Sequence, residues 1–244
     1  MDDRRQSLVE HLTDLRQAIL VALAAFAAAT VVGYLISPPV FARLKAVLPA
    51  IQVVYLGPLD GFYLQLRLAV TIGLVLSMPV TTACLAWFVA PGLTRAEKLL
   101  AVKAGLAATC MFALGAAYTV MVALPVVMSF LLSFTTAEMT PFIAAEEFLS
   151  FVMSFIIYGG LLFELPLLLF LLVRYNILSP ELVGRQRKLL AGFLTGLVLF
   201  FSPGGDLVVQ LLLAGPLYLL FEGAVILARR FRHSGTKGVI EHVQ

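Results

Sequence analysis

Uncharged apolar runs recur along the whole chain, and charged residues mark their ends, because an ionised side chain is expensive at mid-bilayer. Gln17 to Ser37 is the first run and reads as a helix stopped by Pro38-Pro39, whose rings interrupt the helical hydrogen-bond ladder. Leu68 to Ala90 is the second, stopped by Pro91-Gly92. Ala104 to Phe134 is the third, longer than a bilayer requires, and Phe148 to Val173 is the fourth. A spanning helix needs about 20 apolar residues, so the thirteen from Leu189 to Phe201 fall short. That piece and Leu207 to Ala228 make a final pair, separated by the turn-forming cluster Ser202-Pro203-Gly204-Gly205-Asp206. Whether the pair crosses a thinned bilayer or forms a re-entrant hairpin, it returns the chain to the side it left. The pattern predicts an all-α integral membrane protein of six transmembrane helices, the last two short. Residues 1–232 read as one membrane domain and 233–244 as a polar tail.

Composition agrees with this and closes off other classes. Apolar residues make up 61% of the 244 and charged ones 13%, about half the share of a soluble domain, and mean hydropathy is +1.01. No block is left for a separate soluble domain. The first apolar run follows a polar segment and lacks a small-residue cleavage site, so it reads as a retained anchor.

The net charge of +3 is informative through its placement. With six spans, fourteen of the seventeen Lys and Arg fall on the face that holds both termini and the second and fourth loops. The other face has Arg43, Lys45 and Arg67, and its third and fifth loops hold only acids, Glu138, Glu146, Glu147 and Asp206. Both termini are therefore expected in the cytoplasm. The basic residues are topology determinants, and no nucleic-acid partner is implied.

Against that background a few acids stand out. Glu10 and Asp14, four apart, share one face of a helix leading into the first span, and Glu97 lies just past Pro91. All three are carboxylates near the membrane surface on the cation-rich face. Each either pairs locally, Asp14 with Arg16 and Glu97 with Arg95 or Lys98, or contributes to a site for a cationic ligand. Guanidinium meets a carboxylate through two parallel hydrogen bonds, so acids on different helices suit a pair of arginines. Glu164, followed by Pro166, sits deep among Leu and Phe of the fourth span. An ionisable group there marks a functional site or a hydrogen-bonded packing role, with Gln210 as a polar partner or as glue between helices.

Other chemistry is not suggested. Cys84 and Cys110 fall inside apolar runs as small hydrophobes, and His11, His233 and His242 lie near the termini, so no disulfide, metal or cofactor is expected. Gly204-Gly205-Asp206 resembles part of an intramembrane aspartyl protease signature, but Pro203 occupies its first glycine position. No His-Glu-x-x-His, Gly-x-Ser-x-Gly or phosphate loop occurs, and an enzyme is not expected. Arg4-Arg5 precedes acids rather than an apolar stretch and does not read as a targeting signal.

The stretches Glu10–Arg16, Phe88–Leu93 with Glu97-Lys98, and Phe163-Glu164-Leu165-Pro166, in this order, resemble the TatC family, the C subunits of the twin-arginine protein translocase. Glu10-His11-Leu12-Thr13-Asp14-Leu15-Arg16 is similar to the family's E-H-L-x-E-L-R opening, and Phe88-Val89-Ala90-Pro91-Gly92-Leu93 with Glu97-Lys98 to its F-x-x-P-G-L-x-x-x-E-[RK] loop. Phe163-Glu164-Leu165-Pro166 resembles F-E-x-P; Ser202-Pro203 with Asp206 and Gln210, then Pro216, Tyr218 and Phe221-Glu222, complete the order. Asp14 and Asp60 stand where the family usually has Glu, and Ser-Pro-Gly-Gly-Asp replaces the commoner Thr-Pro-Pro-Asp.

The resemblance implies a non-enzymatic receptor in the bacterial cytoplasmic membrane that binds twin-arginine signal peptides of folded precursor proteins. It implies a hetero-oligomer, surrounded by membrane lipid, with small single-span subunits of the TatA and TatB type. Asp14 and Glu97 would hold the arginine pair, with Glu10, Arg16 and Phe88 shaping the patch. Glu164, on a concave membrane-facing side, and Gln210 would contact the partner helices. The alternative is a proton-coupled secondary transporter using Glu164 as a relay, but six unequal spans show no internal repeat and no second deep ionisable group. A passive scaffold would leave these acids unexplained.

Overall fold

In hydrocarbon a backbone must satisfy its own hydrogen bonds, and the long apolar runs do so as helices. The computed structural model describes residues 8–47, 52–92, 95–135, 142–174, 177–178, 192, 195–196 and 207–240. Its helices are α1 (Leu8–Val47), α2 (Asp60–Val89), α3 (Arg95–Tyr118), α4 (Leu124–Leu132), α5 (Ala145–Arg174) and α6 (Leu207–Ile240). A wide, π-type turn at Thr119–Ala123 joins α3 to α4, so Lys98–Leu132 is one apolar span. Pro125 supplies the reason, since it has no N–H for the Met121 carbonyl and a wider turn relieves the clash of its ring. Among the described residues five helices are long and apolar enough to cross a membrane: Val9–Ala46, Asp60–Val89, Lys98–Leu132, Ala145–Arg174 and Gln210–Leu227. The expected fifth element, Leu189 to Phe201, lies outside the described residues apart from Gly192, Thr195 and Gly196, and the Ser202–Asp206 turn lies wholly outside them.

One expected boundary is wrong. Pro38-Pro39 do not stop the first helix, and α1 continues for two more turns to Val47. Proline at 38 removes the donor for the Tyr34 carbonyl, and the hydroxyl of Ser37, almost fully buried, donates to that carbonyl instead at 2.8 Å. A local side chain thus closes the gap in the ladder. Pro91-Gly92, by contrast, do end α2, through a single 3-10 turn at Ala90–Gly92.

The densest core lies at the end of the molecule away from the N-terminus. There Leu44 of α1, Leu64 and Leu68 of α2, Leu124 and Val127 of α4, and Leu149 and Val152 of α5 bury one another. At the same end two three-residue strands, β1 (Gln52–Val54) and β2 (Phe142–Ala144), pair in parallel with Val53 opposite Ile143. Strands this short carry no alternation signal, so the helical pattern did not announce them. The Asp60 carboxylate accepts hydrogen bonds from the backbone N–H of Leu56 and Gly57 at 2.7 and 2.8 Å, which shapes the entry to α2. Arg67 and Glu146 bridge α2 to α5 at 3.0 Å, but both are nearly half exposed, and such pairs contribute about 0–1 kcal/mol.

Between helices, small residues permit close approach. Gly33 of α1 faces the Ala69 carbonyl of α2, and Gly73 of α2 faces the Thr30 backbone. Gly115 of α3 lies against the Gly159 carbonyl of α5, while the Phe112 ring, almost fully buried, rests on Gly160. On α6, Pro216 removes the donor for the Leu212 carbonyl, and the Tyr118 hydroxyl donates to that carbonyl from the end of α3. The same hydrogen bond repairs the α6 ladder and anchors α6 to α3.

Candidate functional site

Near the N-terminus, α1 presents Glu10, His11 and Asp14 along one face by their three- and four-residue spacings. Glu10 and Arg16 are exposed, and His11 and Asp14 are half-buried. The imidazole of His11 stacks on the Phe88 ring with centroids 4.5 Å apart and planes 19° from parallel. This contact brings the acidic face of α1 to the last turn of α2. From Phe88 the chain passes through the 3-10 turn and enters α3 at Arg95, so Glu97 lies in the first turn of α3. A carboxylate at that position is favoured by the helix dipole. The side chain of Glu97 lies outside what the structure describes. His11 was not singled out as a binding residue; its place between Glu10 and Asp14 was the available signal.

Glu164 occupies a different environment. Away from the Gly115–Gly159 crossing, α2, α3 and α5 enclose a groove of about 340 Å³ lined by Leu85, Ala101, Gly105, Ala108, Leu168 and other apolar groups, with Glu164 and Thr82. The Thr82 hydroxyl is already engaged, with the Met78 carbonyl at 2.9 Å and with the Thr109 hydroxyl on α3 at 3.0 Å. Oε1 of Glu164 is buried and has no hydrogen-bond partner among the described residues. A buried polar atom left unpaired costs roughly 1–3 kcal/mol, so it marks a place where a further group is wanted. Gln210, half-buried in the first turn of α6, does not satisfy that oxygen, which leaves the other expectation for it, glue between helices.

Residues 10–216 match the family model described as Sec-independent protein translocase protein (TatC). The chain belongs to the TatC family. The matched segment contains Glu10, Asp14, Arg16, Phe88, Glu97, Glu164 and Gln210. Among TatC relatives, the Sec-independent protein translocase protein TatC of Carboxydothermus hydrogenoformans is 30% identical over 94% of this chain and 95% of its own length. That of Azotobacter chroococcum is 32% identical over 95% and 92%, and that of Aquifex aeolicus 27% over 91% and 94%. A crystal structure of the twin-arginine translocase receptor TatC in DDM superposes with a TM-score of 0.75 at 27% identity, covering 90% of this chain and 99% of the other. As a TatC-family member the chain is a multi-pass membrane protein and a subunit of the Tat protein-transport system.

Proposed function

We infer that this chain is the subunit that receives twin-arginine signal peptides of folded precursors and gathers single-span subunits around itself in the bacterial cytoplasmic membrane. The observation that carries this reading is the His11–Phe88 stack, which joins the acidic face of α1 to the α2–α3 turn. Asp14 on α1 and Glu97 in the first turn of α3 then offer carboxylates from two helices to two adjacent guanidinium groups. Glu10, Arg16 and Phe88 shape the patch. The likeness to a solved twin-arginine translocase receptor supports the same reading. Glu164, with its unpaired oxygen, and Gln210 form the docking side for the arriving helices. In this reading the chain has six spans with both termini cytoplasmic, one membrane domain over residues 1–232 and a cytoplasmic tail over 233–244.

Asp14→Asn and Glu97→Gln should each weaken binding of a peptide bearing two adjacent arginines by about tenfold or more, because a charge-assisted hydrogen bond contributes roughly 1.5–3 kcal/mol. Asp14→Glu should bind normally, and a two-lysine peptide should bind less tightly than the arginine one to the wild type. Titration of labelled peptide into the purified protein measures this. Unchanged affinity in both neutral variants would mean that these acids serve only their basic neighbours.

Orientation is checked separately. Cysteine placed at Leu59, which is exposed in the loop before α2, should react with an impermeant maleimide added to intact cells. Cysteine at Arg185 should react only after the membrane is opened. External labelling at Arg185 would overturn the six-span topology.

A further inference from the structure

α3 and α6 each pack on α5, and between them a cleft of about 480 Å³ opens, floored by Pro166, Leu167 and Phe170. It adjoins the Glu164 groove, with which it shares Ala104 and Leu167, and opens toward α6 instead of α2. Its walls run from Leu100 to Met111 on α3 and from Leu219 to Leu227 on α6. At 1.5 Å per residue these walls are about 12–16 Å long, close to half of a hydrocarbon core of roughly 30 Å. Of the thirteen lining residues Lys103 alone is charged, and it is exposed. It lies five residues beyond Lys98, the start of the apolar span, and a lysine so near a span's end can extend its ammonium along the helix toward lipid phosphates. α5 ends on the exposed Arg174, and α6 runs on into Arg229 and Arg230.

We propose that this cleft is a binding site for one anionic phospholipid, its acyl chain between α3 and α6 and its phosphate on Lys103. An apolar slot about one leaflet long with the lysine Lys103 near one end is complementary to such a lipid in both shape and charge. The proposal needs only the membrane-spanning fold and is independent of signal-peptide recognition.

Gly223 offers a direct test, because it lines the cleft and a Cβ added there meets nothing within 4 Å. Gly223→Phe should therefore fill the slot without disturbing the helices, and Gly223→Ala should leave it open. Detergent-purified protein is mixed with dioleoyl phosphatidylglycerol or dioleoyl phosphatidylcholine and retained lipid is read by native mass spectrometry. The wild type and Gly223→Ala should retain one phosphatidylglycerol in preference to phosphatidylcholine. Lys103→Gln should lower retained phosphatidylglycerol roughly fivefold, the worth of one basic residue near an anionic headgroup; Lys103→Arg should not. Gly223→Phe should retain neither lipid. Equal retention of both lipids by the wild type, or undiminished phosphatidylglycerol in Gly223→Phe or Lys103→Gln, would overturn the proposal. So would a photo-crosslinker at Gly223 that captures a single-span protein instead of lipid in intact membranes.

Discussion

Gly115→Leu should disrupt the pairing of α3 with α5, Gly115→Ala should weaken it, and Gly223→Ala should do neither. A Cβ at Gly115 would come within 2.7 Å of the Gly159 carbonyl and 2.8 Å of Phe163 Cβ. The first is a backbone atom of a neighbouring helix and moves only if the helix moves. Overpacking of this kind costs about 1–3 kcal/mol, while Gly→Ala in a helix returns about 0.8–1.0 kcal/mol in propensity. The clash therefore outweighs the propensity gain at 115, and at 223 only the gain remains. Thermal unfolding in one detergent should rank Gly223→Ala at or above wild type, then Gly115→Ala, then Gly115→Leu well below. If both alanine variants melt alike, the close glycine crossing does not support the fold.

Apolar runs located the helices well, because hydropathy is the property that a bilayer selects. Their ends were harder to place. Charged residues bound the uncharged runs, yet α1 already includes Leu8 and α3 Arg95, where helix continues into the interfacial region. Proline at 38 and 39 reads as a stop in the sequence. The carbonyl that Pro38 frees, that of Tyr34, finds a donor in the Ser37 hydroxyl, and the helix runs on. The donor for Leu212, freed by Pro216, is Tyr118, 94 residues distant, which no local pattern can reveal.

For the site, legibility followed the cost of placing a charge. Carboxylates on a cationic surface or inside a span are improbable enough to draw notice, which is why Asp14, Glu97 and Glu164 were visible in the sequence. The His11–Phe88 stack was invisible, since neither residue is unusual where it stands and their meeting depends on how α1 crosses α2. The apolar cleft at Lys103 was hidden for a related reason. A lysine among leucines near a helix end reads as a topology signal until the walls around it are known.

Replacing Glu164 should separate stability from transport. Among the described residues Oε1 has no hydrogen-bond partner, so Glu164→Leu removes an unsatisfied polar atom and should raise the melting temperature. On the proposed docking role, the same change removes the group offered to an arriving helix. Hydrogen bonds between helices in membranes contribute about 0.6–2 kcal/mol, so partner cross-linking should fall roughly three- to thirtyfold in Glu164→Leu and Glu164→Ala. Glu164→Gln retains size, a donor and an acceptor, and should keep most of both cross-linking and precursor export. A proton relay predicts another order, with Gln as defective in export as Ala because neither side chain releases a proton. The measurement is export and cross-linking of all three variants at equal membrane abundance. Export lost in Glu164→Gln while cross-linking persists would replace docking with proton transfer as the role of this residue.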